Sequence, residues 1–306
     1  MAASSSRSRQ TTLLRPVAFT GRGTHSDAPA SLTISPAEAG SGVLFLPASS
    51  ERPVAASWRN VSATQLRTEI SQGCARVATI EHLMAALHGL GVDNAIVELD
   101  GPEVPALDGS ASPFVSAILD AGLKRLSARR RVIRIRETLR VCDGAAWAEL
   151  SPTRRAELQL DVEIAFPGPP GRQRLALTLS PESFAREIAP ARSFGFLSDA
   201  ERLWRQGLAL GASLENCVVL DGERVLNPQG LRFADEFVRH KALDVIGDLA
   251  LAGAPIQGAF RSYRGGHRLN LALVAKLMQT PSAYEAIGDS SAAAVAVAKV
   301  HGRVAP

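Results

Sequence analysis

Phe237-Val238-Arg239-His240-Lys241-Ala242-Leu243-Asp244-Val245-Ile246-Gly247-Asp248-Leu249 is the stretch from which the rest of this 306-residue chain is read. Phe237, Leu243, Ile246 and Leu249 recur with a helical period. His240, Asp244 and Asp248 lie at i, i+4 and i+8, so on a helix they form one polar stripe bordered by apolar surface. A histidine with a carboxylate one turn on is a sound ligand pair for an ion such as Zn²⁺. A second histidine from elsewhere would complete three protein ligands and leave a fourth position open. Spacing alone does not decide this, because charged stripes of this kind are usually solvated faces.

Outward from that helix, strand-like runs fall at residues 32–34, 43–46, 95–99, 132–135, 146–150, 158–164 and 174–179. Helical patterns fall at 81–89, 112–121, 181–188, 200–207, 236–252 and 272–279. Each half therefore reads as a sheet with helices, an α+β pattern of two similar domains with a site at the interface between them. No repeated sequence marks a duplication. The length exceeds what one core usually supports. The expected division is a flexible N-terminus over 1–14, domains over 15–126 and 127–288, and a tail over 289–306 that forms a short helix. Residues 124–131, charged and poor in large apolar side chains, read as the linker.

Hydrophobic residues at 46% and charged residues at 21% belong to an ordinary globular protein rather than a fibre or a disordered chain. The net charge of +4 is a mild excess that favours anionic ligands without naming one. Arg129, Arg130, Arg131, Arg134, Arg136 and Arg140 form the densest basic stretch. They alternate with Val132, Ile133, Ile135, Leu139 and Val141 as one face of a strand, without interleaved aromatics, so no nucleic acid partner is expected. Cys74, Cys142 and Cys217 are scattered without a CxxC pair, which fits a reducing compartment, and the cytoplasm is expected. No run of about 18 apolar residues occurs, so membrane contact is expected to be peripheral. The Ser- and Arg-rich start of the chain reads as a frayed terminus rather than a transit peptide.

Two further elements carry chemistry. Thr79 precedes Glu81-His82-Leu83-Met84-Ala85-Ala86-Leu87-His88-Gly89, which reads as a capped helix ending on a glycine. There His82 can ligate a metal while Glu81, about 100° around the helix, reaches over a bound water. Gly265-Gly266-His267-Arg268-Leu269-Asn270 reads as a loop that brings an imidazole close to a ligand.

Taken in order, these motifs resemble the zinc-dependent UDP-3-O-acyl-N-acetylglucosamine deacetylases. That family carries a T-x-E-H-L-x-A-A-L helix, a D-G-S-A-x-P-F turn, an A-R-T-F-G-F segment, an L-N-x-x-G-L-R-F-x-D-E-F-V-R-H-K-x-L-D-x-I-G-D-L helix and a G-H-x-L-N loop. The matching residues here are 79–87, 108–114, 191–196, 226–249 and 266–270, and the resemblance runs from about Arg15 to about Ala275.

The resemblance implies hydrolysis of the N-acetyl group of a UDP-sugar bearing a fatty acyl chain, in lipid A biosynthesis of a Gram-negative bacterium. It implies one Zn²⁺ per chain on His82, His240 and Asp244, with Glu81 as general base and His267, held by Asp248, as general acid. Ser193 stands at the oxyanion donor, where most members have Thr, and Lys241 near the water and the substrate phosphate. A second-domain insert is expected to sheath the acyl chain with Phe194, Phe196, Leu197, Ala200, Leu203, Trp204 and Leu208. The family's G-x-G-L-H-S-G loop reads Gly21-Arg22-Gly23-Thr24-His25-Ser26-Asp27, leaving His25 available near the substrate. Arg67 replaces the Cys with which several relatives bind a second, inhibitory zinc. A monomer is expected. The alternatives are a metal-dependent deacylase of another N-acyl sugar and a non-catalytic anion-binding protein.

Overall fold

The computed structural model describes residues 9–288; the tail expected over 289–306 and the first eight residues lie outside the described residues. Six α-helices are present among them: α1 (Glu81–Leu90), α2 (Ser112–Ala121), α3 (Pro181–Ser183), α4 (Ala200–Arg205), α5 (Glu236–Ala250) and α6 (His267–Gln279). They pack with two five-stranded sheets and four smaller ones.

The two large sheets share one topology. The first runs Val17–Arg22, Pro29–Pro36, Ala95–Asp100, Val43–Pro47, Val54–Ala55 across its width, and the second Leu139–Asp143, Ala146–Ser151, Ala259–Tyr263, Gln159–Ala165, Arg172–Thr178. In both, the last strand in sequence enters the centre, antiparallel to one neighbour and parallel to the other. In both, one helix precedes that strand and one follows it: α1 and α2 in the first half, α5 and α6 in the second. The halves are thus alike in architecture, as the periodicities predict. Alternation within strands sets the buried face: Leu160, Val162 and Ile164 of one strand and Ala30, Leu32 and Ile34 of another point into the core.

Helices α1 and α5 meet at the seam, and nearly every residue of both is buried. Helices buried all round need apolar residues all round, so the polar ones that interrupt them stand out: Glu81, His82, His240, Asp244 and Asp248 are all below 9% exposed. Gly247 makes the approach possible. A Cβ at that position would lie 2.1 Å from the Glu81 carbonyl oxygen. Gly247→Ala gains about 1 kcal/mol of helix propensity. The obstacle is backbone and cannot rotate away, so overpacking of about 1 to 3 kcal/mol dominates. Lower stability in denaturant unfolding, together with a displaced Glu81 and reduced turnover, is the expected result.

Three local readings change. The presumed linker is mostly a strand, Leu123–Arg129, paired antiparallel with Arg9–Leu13, so residues 9–13 are not a loose arm. Its side chains are mostly exposed because it is held by backbone pairing, which leaves no apolar signature. Thr79 does not cap α1: Ile80 stands at the N-cap, and Thr79 has φ +58° with its hydroxyl turned to Glu103. The helix also continues past Gly89 to a left-handed C-cap at Gly91.

Candidate active site

His82 leaves the first turn of α1, and His240 and Asp244 leave successive turns of α5, so the seam brings one donor from the first half against two from the second. The His82 and His240 Nε2 atoms lie 3.8 and 3.5 Å from Asp244 Oδ1. One donor atom from each of the three residues falls within 4.8 Å of the others. These separations are long for hydrogen bonds but near the roughly 3.3 Å between donors that share one tetrahedral ion with bonds of about 2.0 to 2.1 Å. The Ala191 carbonyl, 3.2 Å from His240 Nδ1, accepts that nitrogen's proton and leaves the Nε2 lone pair facing the group.

Electrostatics supports the same reading. Burial, reinforced by His240, pushes the His82 imidazole down to about 3, and burial lowers His240 as well. Burial alone would raise Asp244, but Lys241, His240, His267 and His82 outweigh it and hold the carboxylate ionised. Two neutral imidazoles and one carboxylate are the donor set of a hydrolytic metal site, so the residues present fit a divalent ion. Lys241 Nζ lies 2.7 Å from Asp244 Oδ2 and 5.8 Å from the centre of the Phe194 ring.

Two titratable groups stand beside this trio. Burial pushes Glu81 up to about 7. Burial would lower His267, but Asp248 and the other carboxylates raise it to about 9. His267 is the first residue of α6 rather than part of a loop, so its ring is fixed by a helix start. Its Nδ1 is 2.9 Å from Asp248 Oδ2, which turns Nε2 toward Glu81 Oε1 at 3.9 Å. Sequence reading missed what holds this pair. The Thr68 backbone N–H donates to Glu81 Oε2 at 3.0 Å and the Thr68 hydroxyl to Asp248 Oδ1 at 2.7 Å, while Asn270 Nδ2 donates to Asp248 Oδ2 at 2.9 Å. Neither spacing nor composition marks a threonine 180 positions from its partner.

Ser193 lines the cleft, its Oγ 3.3 Å from the Gly109 carbonyl. Its neighbour Arg192 is 1% exposed and donates from its backbone N–H and Nε to Glu236 Oε1, at 3.0 and 2.8 Å. This buried pair ties the Ser193 segment to the start of α5. Glu236→Ala strands a buried guanidinium and is expected to cost about 3 to 5 kcal/mol in denaturant unfolding.

The cleft has a volume of about 610 Å³ and continues from the polar end into an apolar passage. Phe194, Phe196, Leu197, Ala200, Leu203 and Trp204 line it; Leu208 does not, and its neighbour Ala209 does. Phe166, not singled out in the sequence, lines it too and packs edge-on against Phe194 with centroids 5.9 Å apart. His25 lines the cleft with its Nδ1 accepting from the Ala209 N–H at 3.2 Å. Arg67 pairs with Glu69 at 3.3 Å.

A deprotonated three-donor set flanked by a buried carboxylate and a carboxylate-paired imidazole, at the mouth of an apolar passage, defines a metal-assisted hydrolase of an amphiphilic substrate. Comparison narrows the class. The model of the LpxC family, UDP-3-O-acyl N-acetylglycosamine deacetylase, matches residues 10–279. Proteins of Brucella ovis, Brucella canis and Brucella melitensis, each named UDP-3-O-acyl-N-acetylglucosamine deacetylase, are 47% identical over 283 residues, covering 91% of this chain and 98% of theirs. The chain belongs to the UDP-3-O-acyl-N-acetylglucosamine deacetylase family.

Proposed function

We propose that this chain hydrolyses the N-acetyl group of a UDP-3-O-(3-hydroxyacyl)-N-acetylglucosamine, releasing acetate and the free amine, in lipid A biosynthesis. The observation that carries this is the meeting of His82, His240, Asp244, Glu81 and His267 at the head of a passage lined with apolar side chains. His82, His240 and Asp244 would hold one Zn²⁺ per chain, which when bound lowers the pKa of a water to about 7 and polarises the acetyl carbonyl.

The chain's own groups do the rest. Glu81 accepts the proton of the attacking water as its oxygen bonds to the carbonyl carbon. The Ser193 hydroxyl donates to the oxyanion that develops there. His267, with Nδ1 committed to Asp248, gives the Nε2 proton to the sugar nitrogen as the carbon–nitrogen bond breaks. Lys241 supplies fixed positive charge beside Phe194, suited to the substrate's phosphates. Phe194, Phe196, Leu197, Ala200 and Trp204 shelter the alkyl chain. The same reading divides the chain into two domains, the first taking in the paired strands Arg9–Leu13 and Leu123–Arg129 and the second running on to residue 288. It makes the protein a cytoplasmic monomer that meets the membrane peripherally; no helix of the described residues is long and apolar enough to cross one.

Amine release from the acylated nucleotide sugar, set against UDP-N-acetylglucosamine without the acyl chain, tests this directly. Strong preference for the acylated compound is expected; failure to deacetylate it contradicts the proposal. A pH profile adds a test of the acid. A general base must be deprotonated and a general acid protonated, so with Glu81 at about 7 and His267 at about 9 activity is expected to rise as pH rises through the first value and to fall as it rises through the second. Asp248→Asn removes the carboxylate that raises His267, so the alkaline limb is expected to move to lower pH. An unmoved limb assigns it to another group.

A further inference from the structure

Glu103 is 1% exposed and takes no part in the chemistry above. Its Oε1 accepts from the His25 N–H at 2.9 Å, the Ser26 N–H at 2.7 Å and the Ser26 hydroxyl at 2.7 Å, and its Oε2 accepts from the Thr79 hydroxyl at 2.7 Å. Burial would raise its pKa, but these bonds outweigh it and hold the carboxylate below its usual range.

The two ends of this carboxylate lead to different parts of the site. On one side, Thr79 sits at φ +58°, a conformation that costs a β-branched residue and persists only where its surroundings impose it. Two residues later α1 begins with Glu81 and His82. On the other side, the loop at residues 24–26 carries the insert. Ala209 N–H donates to His25 Nδ1 at 3.2 Å, Leu210 N–H to the His25 carbonyl at 3.1 Å and Gly211 N–H to the Thr24 carbonyl at 3.0 Å. Thr24, His25 and Ala209 line the cleft beside Trp204 and Leu203.

We propose that Glu103 is a positioning residue that fastens the segment at residues 209–211, whose Ala209 lines the cleft, through the 24–26 loop to the start of α1, and so sets preference for the acylated substrate. This rests on the function proposed above. Geometry lets the link be cut from either end. Glu103→Ala removes both anchors. Gly211→Ala leaves Glu103 and Thr79 untouched but places a Cβ 2.2 Å from the Gly23 carbonyl oxygen, wedging the insert off the loop.

The experiment measures kcat/KM for the acylated nucleotide sugar and for UDP-N-acetylglucosamine, with amide hydrogen exchange on the same proteins. Displacement of a substrate-positioning wall by about 1 Å is worth on the order of 10²-fold. Gly211→Ala is therefore expected to lower kcat/KM for the acylated substrate by ten- to about a hundredfold, while the unacylated one changes little. Glu103→Ala should show the same contraction of selectivity on top of a loss common to both. In both variants amides at residues 209–211 exchange faster while those of α5 stay protected. Equal losses on the two substrates in Glu103→Ala, wild-type selectivity in Gly211→Ala, or unchanged exchange at residues 209–211 each overturn the proposal. Should Glu103→Ala not fold, Glu103→Gln, which keeps the shape but loses the charge and one acceptor oxygen, replaces it in the same comparison and must show the same contraction of selectivity. A wild-type enzyme indifferent to the acyl chain would sink the underlying function instead, and the exchange measurement would still decide whether Glu103 holds the 209–211 segment.

Discussion

Glu81→Gln is expected to lower kcat by about 10² to 10⁴, the usual worth of a positioned proton-transfer group, with metal content unchanged. The amide keeps the shape of the carboxylate and an oxygen for the Thr68 N–H, so the local structure has little reason to move. What disappears is the basic oxygen that, in the proposed mechanism, takes the water's proton. His267→Ala should fall by a similar factor for the opposite reason, since it removes the donor and leaves Asp248 facing only Thr68 and Asn270. The double variant should cost less than the product of the two, because the groups act on one proton path. Single-turnover rates with metal measured on the same samples check this; near-full turnover in Glu81→Gln would remove it as the base.

His240→Ala is expected to lose metal and activity together. It removes one of the three donors proposed to hold the metal, and since loss of an outer partner alone typically weakens metal affinity 10- to 100-fold, loss of a ligand should exceed about 100-fold. Elemental analysis after dialysis should then find substoichiometric metal. Full occupancy with lost turnover would place His240 outside the ligand set.

The parts of this molecule that follow a local period were legible in the sequence. The polar stripe of α5 was read from i, i+4, i+8 spacing, and the alternating strands from a period of two, because burial of a helix or strand face imposes those spacings whatever the tertiary partner. Motif resemblance supplied the pairing of His82 with His240, which no spacing reveals. The unread parts belong to contacts between distant segments. The strand at Leu123–Arg129 is held by backbone bonds to Arg9–Leu13, with no apolar face to betray it. Thr79 looked like a cap by residue type, and the pull of Glu103 overrode it. His267 looked like a loop residue after two glycines, yet it opens α6. Thr68 is an ordinary threonine until the fold brings Glu81 and Asp248 to it.

If His82, His240 and Asp244 hold the metal on which deacetylation depends, activity must follow metal content, and a metal titration measures this. The purified protein would be stripped with a chelator, then supplied with increasing Zn²⁺ while acetate release from the acylated nucleotide sugar is followed. No turnover is expected in the stripped protein, and full recovery at about one equivalent per chain, as a three-donor catalytic site requires. Turnover that survives complete removal of metal would contradict it.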